Sequence, residues 1–261
     1  MADEVVPIDR LHNERYGKVL CYPKFSDEEL ESRIRELKKL GVRAIQFAGP
    51  KIACDMHVLG KGCVSIVVTA LTDVGKTALK IRRTDADRSN MEHETEMLKK
   101  ANAVNVGPTL LRATQNFILM ELIEGPWLSD WITSIRGRGK AGRVRRILRL
   151  LLEDCWKLDQ VGLDHGELSR AAKHIIIEFT DRPRIVDFET ASVMRKPANV
   201  TSICQYLFIG SQAARKIQRI HGLVQRENLI SKLRSYKKET THRNFTKILA
   251  SCRLENIKIT I

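Results

Sequence analysis

The chain has 261 residues, 43% of them hydrophobic and 29% charged, with a formal net charge of +14. That length buries an ample core in one large or two small domains, and the balance is that of an ordinary soluble globular protein. No apolar run approaches the ~20 residues of a membrane helix, and the opening MADEVV lacks the basic-then-apolar order of a signal peptide. A cytoplasmic protein with no membrane partner is therefore expected. The six cysteines (Cys21, Cys54, Cys63, Cys155, Cys204, Cys252) are scattered without a CxxC pair. They read as reduced, buried thiols, not as a disulfide framework or a zinc site.

In chain order, residues 1–50 read as an N-terminal extension with one helix. FSDEEL at 25–30 announces that helix. Ser26 and Glu29 have capping-box spacing, Phe25 and Leu30 fit a hydrophobic staple, and Gly41 should end it. Four strand-like, turn-bounded runs follow at 42–47, 52–59, 64–71 and 77–82. Between the last two, ALTDVGKT (70–77) satisfies the relaxed AxxxxGKT form of a phosphate-binding P-loop. That motif needs a helix beginning at its Lys-Thr, so that N-terminal amides face the phosphates. Here TALKIRR (77–83) alternates like a strand and runs into the TDAD turn, while Ala70 lies within the preceding strand. The stretch is predicted to be a β-hairpin, with Gly75 in its turn and Lys76 facing solvent.

A helix is predicted from about Ser89, with a Ser89–Glu92 capping box, to about Ala101. A strand at 116–123 leads to the turn at Glu124-Gly125-Pro126. The rest is mostly helical, with a Gly/Arg-rich stretch at 136–142 and short β patches near 175–179 and 184–187. One helix carries the apolar stripe Val144, Ile147, Leu148, Leu151, Leu152, Cys155 and Leu158. This order predicts an α+β fold of two lobes, residues 51–123 and 124–261, with a cleft between them. Residues 134–149 hold seven Lys/Arg and no acid, and residues 211–261 hold 12 against three. Such a basic surface either attracts a polyanion such as RNA by counterion release or is simply solvated.

Five features then point to phosphate chemistry. GKGCVSIV (60–67) supplies Gly60, Lys61, Gly62, Ser65 and Val67 in a turn between strands, where glycines allow backbone amides to approach phosphates. Lys80 sits mid-strand between apolar neighbours. Glu94 shares a helical face with Met91, Thr95 and Leu98, so it points inward and can pair with an inward lysine. DHGELS (164–169) follows the apolar-striped helix, and in IVDFET (185–190) Asp187 ends a short apolar strand, a common way to present a metal-binding carboxylate.

In this order the five features resemble the Gly-rich loop, lysine, helix glutamate, catalytic loop and DFG aspartate of the protein-kinase fold, over roughly residues 52–210. MELIEG (120–125) is similar to the hinge that holds adenine through backbone groups of Glu121 and Ile123, with Met120 as gatekeeper. The small size, the HGxLS wording and the lack of an APE-like segment resemble the RIO and KEOPS-associated atypical kinases, and most closely an archaeal group of predicted Ser/Thr kinases. The resemblance implies a bilobal fold, with a small antiparallel sheet and one helix in the N-lobe and a mainly helical, basic C-lobe. It implies ATP and Mg²⁺ as cofactors and a protein hydroxyl as acceptor. The ATP site would comprise Gly60, Lys61, Gly62, Ser65, Val67, Lys80, Glu94, Met120, Glu121 and Ile123. Lys80, held by Glu94, would bind the α/β-phosphates, and Asp187 would hold the metal. Glu167 would orient or deprotonate the acceptor, with His165 structuring its loop.

The chain departs from that pattern in three places. The catalytic-loop acid is Glu167 where the family has Asp. The Asn expected for a second metal is replaced by RAAKH (170–174), which leaves His174 as its positional successor and Lys173 as a rival. Mg²⁺ prefers oxygen to imidazole, whereas Lys173 could neutralise phosphate charge without a metal. Glu189 stands at the DFG glycine, an ending similar to that of small-molecule kinases. Three functions stay open: a Ser/Thr protein kinase-like enzyme, an inactive ATP-binding module acting on RNA or a ribosomal particle, and a small-molecule kinase.

Overall fold

The β-branched runs of the first half form a sheet in a computed structural model that describes residues 4–87 and 89–255. The chain divides into two units, Met1–Lys99 with Pro108–Leu122, and Lys100–Gly107 with Ile123–Ile261. The strands of the first are β1 (Glu4–Pro7), β2 (Ala44–Phe47), β3 (Lys51–Ala53), β4 (Met56–Val58), β5 (Gly60–Lys61), β6 (Ser65–Thr72), β7 (Gly75–Arg82), β8 (Leu110–Ala113) and β9 (Phe117–Glu121). Seven of them make one antiparallel sheet in the order β1-β2-β6-β7-β9-β8, with β5 paired to β6. The run at 52–59, expected as one strand, is the separate hairpin β3–β4, because Cys54 and Asp55 take left-handed backbone (φ +47° and +61°) and reverse the chain.

The P-loop-like stretch is a hairpin, as its alternation predicted. Thr72 pairs with Gly75 across the turn, Gly75 has φ +103°, and Lys76 is exposed. Strand β7, not a helix, begins at its Gly-Lys-Thr.

Residues 1–50 are expected as an extension with one helix; of these, residues 4–50 are built into the sheet. They carry two helices, α1 (Glu14–Leu20) and α2 (Asp27–Lys39), besides β1 and β2. Ser26 accepts a hydrogen bond from the Glu29 amide at 3.2 Å, the capping contact its spacing predicted. Val6, Leu20, Leu30, Ile34 and Leu37 lie in one buried cluster with Ile66, Val68, Leu79, Ile81 and Phe117. The reason is areal: one sheet face buries its apolar residues only when something covers it, and here α1 and α2 do so. Arg33 crosses that core fully buried. Its Nε donates to Glu29 Oε1 (2.7 Å), and its Nη1 to the carbonyls of Leu20 (2.5 Å) and Arg82 (2.6 Å). A buried guanidinium is tolerated because its donors are met.

The third helix, α3 (Glu92–Asn102), starts later than the predicted Ser89, since the Asn90 side chain accepts the Glu92 amide at 3.1 Å in an Asx turn. The second unit contains α4 (Leu128–Ser134), α5 (Lys140–Gln160), the hairpin of β10 (Ile175–Ile177) and β11 (Pro183–Ile185), and then α6 (Asn199–Cys204), α7 (Gln212–His221), α8 (Arg226–Lys238) and α9 (His242–Ser251). The predicted stripe from Val144 to Leu158 is buried along α5. Four cysteines are buried thiols as expected, whereas Cys54 is half-buried and Cys63 exposed because they lie in turns; all six are unbridged. The fold is α+β, with the antiparallel sheet in the N-terminal half and helices in the C-terminal half. Among the described residues, no helix is long and apolar enough to cross a membrane.

Candidate functional site

In the first unit, β7 is flanked on both sides, Lys80 opposing Val67 of β6 and Ile118 of β9. Leu79 and Ile81 point into the core under α1 and α2, so period-two alternation turns Lys80 to the other face. There the face of α3 bearing Glu94, Thr95 and Leu98 is buried while Glu92 and Glu96 are exposed. Lys80 Nζ donates to Glu94 Oε1 at 2.6 Å, both side chains about 5% exposed. A buried lysine is held charged by such a partner, and the pair fixes a cation on a central strand.

The Gly-rich stretch forms a tight turn between β5 and β6, closed by the Gly62 amide on the Ser65 carbonyl (2.8 Å). Arg83 Nη1 donates to the Gly62 carbonyl (2.9 Å), and Lys61 Nζ lies 4.5 Å from the centroid of the Tyr22 ring. Neither glycine is demanded by the fold: neither has positive φ, and an added Cβ would meet its nearest atoms at 3.6 Å, an ordinary contact. Ser65 is buried at the start of β6, and Val67, half-buried, opposes Gly60. On β9, Met120 pairs with Ala78, and Glu121 Oε2 accepts from both the amide and the hydroxyl of Thr109 (2.9 and 3.0 Å). Ile123 begins the second unit.

The second unit gathers His165, Glu167, His174 and Asp187. The β10–β11 hairpin continues outward through the Val186 amide on the His174 carbonyl (2.9 Å), which sets His174 beside Asp187. His174 Nε2 is 3.3 Å from Glu167 Oε2, and its Nδ1 is 3.9 Å from Asp187 Oδ2. Glu167, His174 and Asp187 each offer a ligand atom within 4.8 Å of the others, a donor set that fits a divalent cation. Asp187 has left-handed backbone (φ +70°), and Glu189 is half-buried. Lys173, the sequence-stated rival of His174, is exposed, whereas His174 is buried.

His165 is wholly buried beneath this group. Its Nε2–H donates to the Val186 carbonyl (3.1 Å), and its ring meets that of His174 edge-on at 5.4 Å. Burial, and secondly the neighbouring His174, push its pKa down to about 4, against the opposing pull of the Val186 carbonyl. It is therefore a neutral positioning group near neutral pH. Gly166, at φ +89°, is required by its place, since a Cβ would come within 3.1 Å of the Thr190 carbonyl.

Several positioning residues carried no signal in the sequence. Asn199 Oδ1 accepts the His165 amide (2.8 Å), and its Nδ2 donates to Asp159 Oδ1 (2.8 Å) and the Leu163 carbonyl (2.7 Å). Asp159 also accepts the Asn199 and Val200 amides (2.9 and 3.2 Å) and the Tyr236 hydroxyl (2.9 Å). Burial raises the Asp159 pKa in spite of those donors. Asp164 accepts from Arg195 Nε (2.9 Å) and the Ala198 amide (3.2 Å), which ties the loop before His165 to the segment after Asp187.

No protein-family model matches the chain, and no curated protein gives a significant match to it.

Proposed function

We propose that the protein is an ATP-dependent phosphotransferase of the atypical Ser/Thr protein-kinase type, with a kinase-like fold. The observation that carries this reading is the buried Lys80–Glu94 pair at 2.6 Å, a fixed cation on the strand next to a glycine turn. Such a cation serves to bind α/β-phosphates, because phosphoryl transfer asks mainly for positioning and charge neutralisation. Gly60 and Gly62, which the fold itself does not require, leave bare backbone for a close approach of phosphate.

In the second unit Asp187 would hold a divalent cation, which supplies charge neutralisation on the transferred phosphate. Glu167, with one carboxylate oxygen beside His174 Nε2 at 3.3 Å, would orient the acceptor hydroxyl and take its proton. His165 would keep the loop in register without changing charge. Lys173, exposed on the same segment, would meet phosphate charge directly.

Purified protein given ATP and a divalent cation is expected to show autophosphorylation or ATP turnover that is lost in Lys80→Ala and in Asp187→Ala. Equal signal in wild type and both variants would end the proposal. Transfer to a metabolite but not to protein would move the acceptor class to small molecules. ATP-dependent thermal stabilisation without turnover across acceptors would favour the inactive module.

A second reading rests on the exposed basic residues Arg215, Lys216 and Arg219 of α7 with Arg226, Arg234, Lys237 and Lys238 of α8. They suit an RNA or ribosomal-particle partner, and affinity for a short RNA should fall steeply with salt. Absence of binding at low salt would remove that partner.

A further inference from the structure

His174 stands where the kinase pattern has an oxygen ligand, and its surroundings say what it could do there. The residue is 9% exposed, and Nδ1 makes no hydrogen bond among the described residues. Nε2 faces Glu167 Oε2 at 3.3 Å, while Nδ1 faces Asp187 Oδ2 at 3.9 Å. A neutral imidazole has one N–H and one lone pair. If the N–H sits on Nε2, which lies 3.3 Å from Glu167 Oε2, the lone pair is on Nδ1, buried and 3.9 Å from the Asp187 carboxylate. An imidazole whose other N–H is held by a carboxylate is the usual orientation of a metal-ligating histidine.

We propose that His174 Nδ1 and Asp187 form a site for a borderline divalent cation, of the class of Mn²⁺, Co²⁺ or Zn²⁺, in preference to Mg²⁺, with Glu167 as the positioning carboxylate of His174. The distances fit. Metal–nitrogen and metal–oxygen bonds of about 2.0–2.2 Å put two tetrahedral ligands about 3.3 Å apart. The 3.9 Å gap closes with a small rotation of Asp187, whose side chain is 39% exposed. The imidazole selects against Mg²⁺, which keeps its waters and prefers carboxylate and phosphate oxygen, and in favour of ions that accept nitrogen. The His165 ring meets that of His174 edge-on and the Val186 amide holds the His174 carbonyl, so the fold fixes where His174 stands. The inference rests on the phosphotransferase reading only in taking this ion to be the one that reading needs at Asp187.

The test uses the full chain free of nucleotide. Calorimetric titration with Mn²⁺, Co²⁺ and Mg²⁺ should give one Mn²⁺ or Co²⁺ per chain, bound roughly tenfold or more tightly than Mg²⁺. Bound Co²⁺ should absorb in the visible as an imidazole-ligated ion. His174→Asn should bring Mn²⁺ and Mg²⁺ to similar affinity. Glu167→Gln should weaken Mn²⁺ by about 10- to 100-fold. Because a His174 variant can misfold, wild-type protein carrying ¹⁵N-histidine provides a second readout, in which Mn²⁺ should broaden His174 Nδ1 first. No ion bound, Mg²⁺ bound as well as Mn²⁺, or a preference unchanged in folded His174→Asn would each overturn the site. A protein that binds Mn²⁺ this way but transfers no phosphate would lose the kinase reading and keep the site. Full transfer with Mg²⁺ and no Mn²⁺ preference would do the reverse.

Discussion

Replacing His165 with Gln removes a titrating group from the middle of the second unit and keeps an N–H for the Val186 carbonyl. The ordinary histidine pKa is near 6.5, and burial lowers that of His165 to about 4. The unfolded chain therefore takes up this proton first as pH falls. Stability contributed above pH 6.5 is lost progressively as pH drops through the window from about 6.5 to about 4. Linkage over that window gives about 2 kcal/mol lost between pH 7 and pH 5, and about 3 kcal/mol by pH 4. His165→Gln should thus begin less stable at pH 7, by about 1–2 kcal/mol for imperfect packing, and yet lose about 2 kcal/mol less than wild type on going to pH 5. All three tryptophans, Trp127, Trp131 and Trp156, lie in the second unit, so urea unfolding followed by tryptophan fluorescence reads this unit alone. Parallel loss of stability in the two proteins from pH 7 to 5 would refute the claim that His165 is buried neutral.

Lys80→Met should leave the Glu94 carboxylate buried beside an apolar chain and cost about 3–5 kcal/mol, most of it regained in Lys80→Met/Glu94→Leu; thermal unfolding checks this, and a single variant as stable as the double would contradict it. Gly60→Ala and Gly62→Ala should leave stability within about 0.5 kcal/mol and weaken ATP binding roughly tenfold if phosphates approach that backbone; a stable protein with unchanged ATP affinity would take the turn out of the nucleotide site. Asn199→Ala should cost about 2–4 kcal/mol, since it strands the His165 amide and buried Asp159 at once, and a chemical-denaturation loss under 1 kcal/mol would show that water replaces it.

What could be read in advance was decided by near neighbours in the chain. The Ser26 cap reaches three residues, the alternation of β7 two, and the inward face of α3 spans Glu94 to Leu98. The stripe of α5 is likewise a local period, and the placement of Lys80 against Glu94 follows from two such local faces meeting. The rest depended on partners far away. Strands β1 and β2 reveal their role only when β6 is present to pair with, and the helices of residues 1–50 only when the sheet needs a cover. Asp159, Asn199 and Tyr236 are polar residues that would suit any helix surface; the fold joins them across 40 and 77 positions. Nothing in the RAAKH segment decides between Lys173 and His174, because a side chain's direction there is set by the Val186 amide, contributed by the later arm of the hairpin.

The tip of the β6–β7 hairpin offers a practical handle. Val74 is 78% exposed beside the turn glycine, so its side chain can be exchanged without disturbing the core. A cysteine-linked dye at Val74 or a short epitope inserted there would ride on the strand that carries Lys80 while leaving that strand's pairing intact. The residues that look like a phosphate cradle would then serve as a mounting point, from which a change on β7 can be watched optically as nucleotide is added.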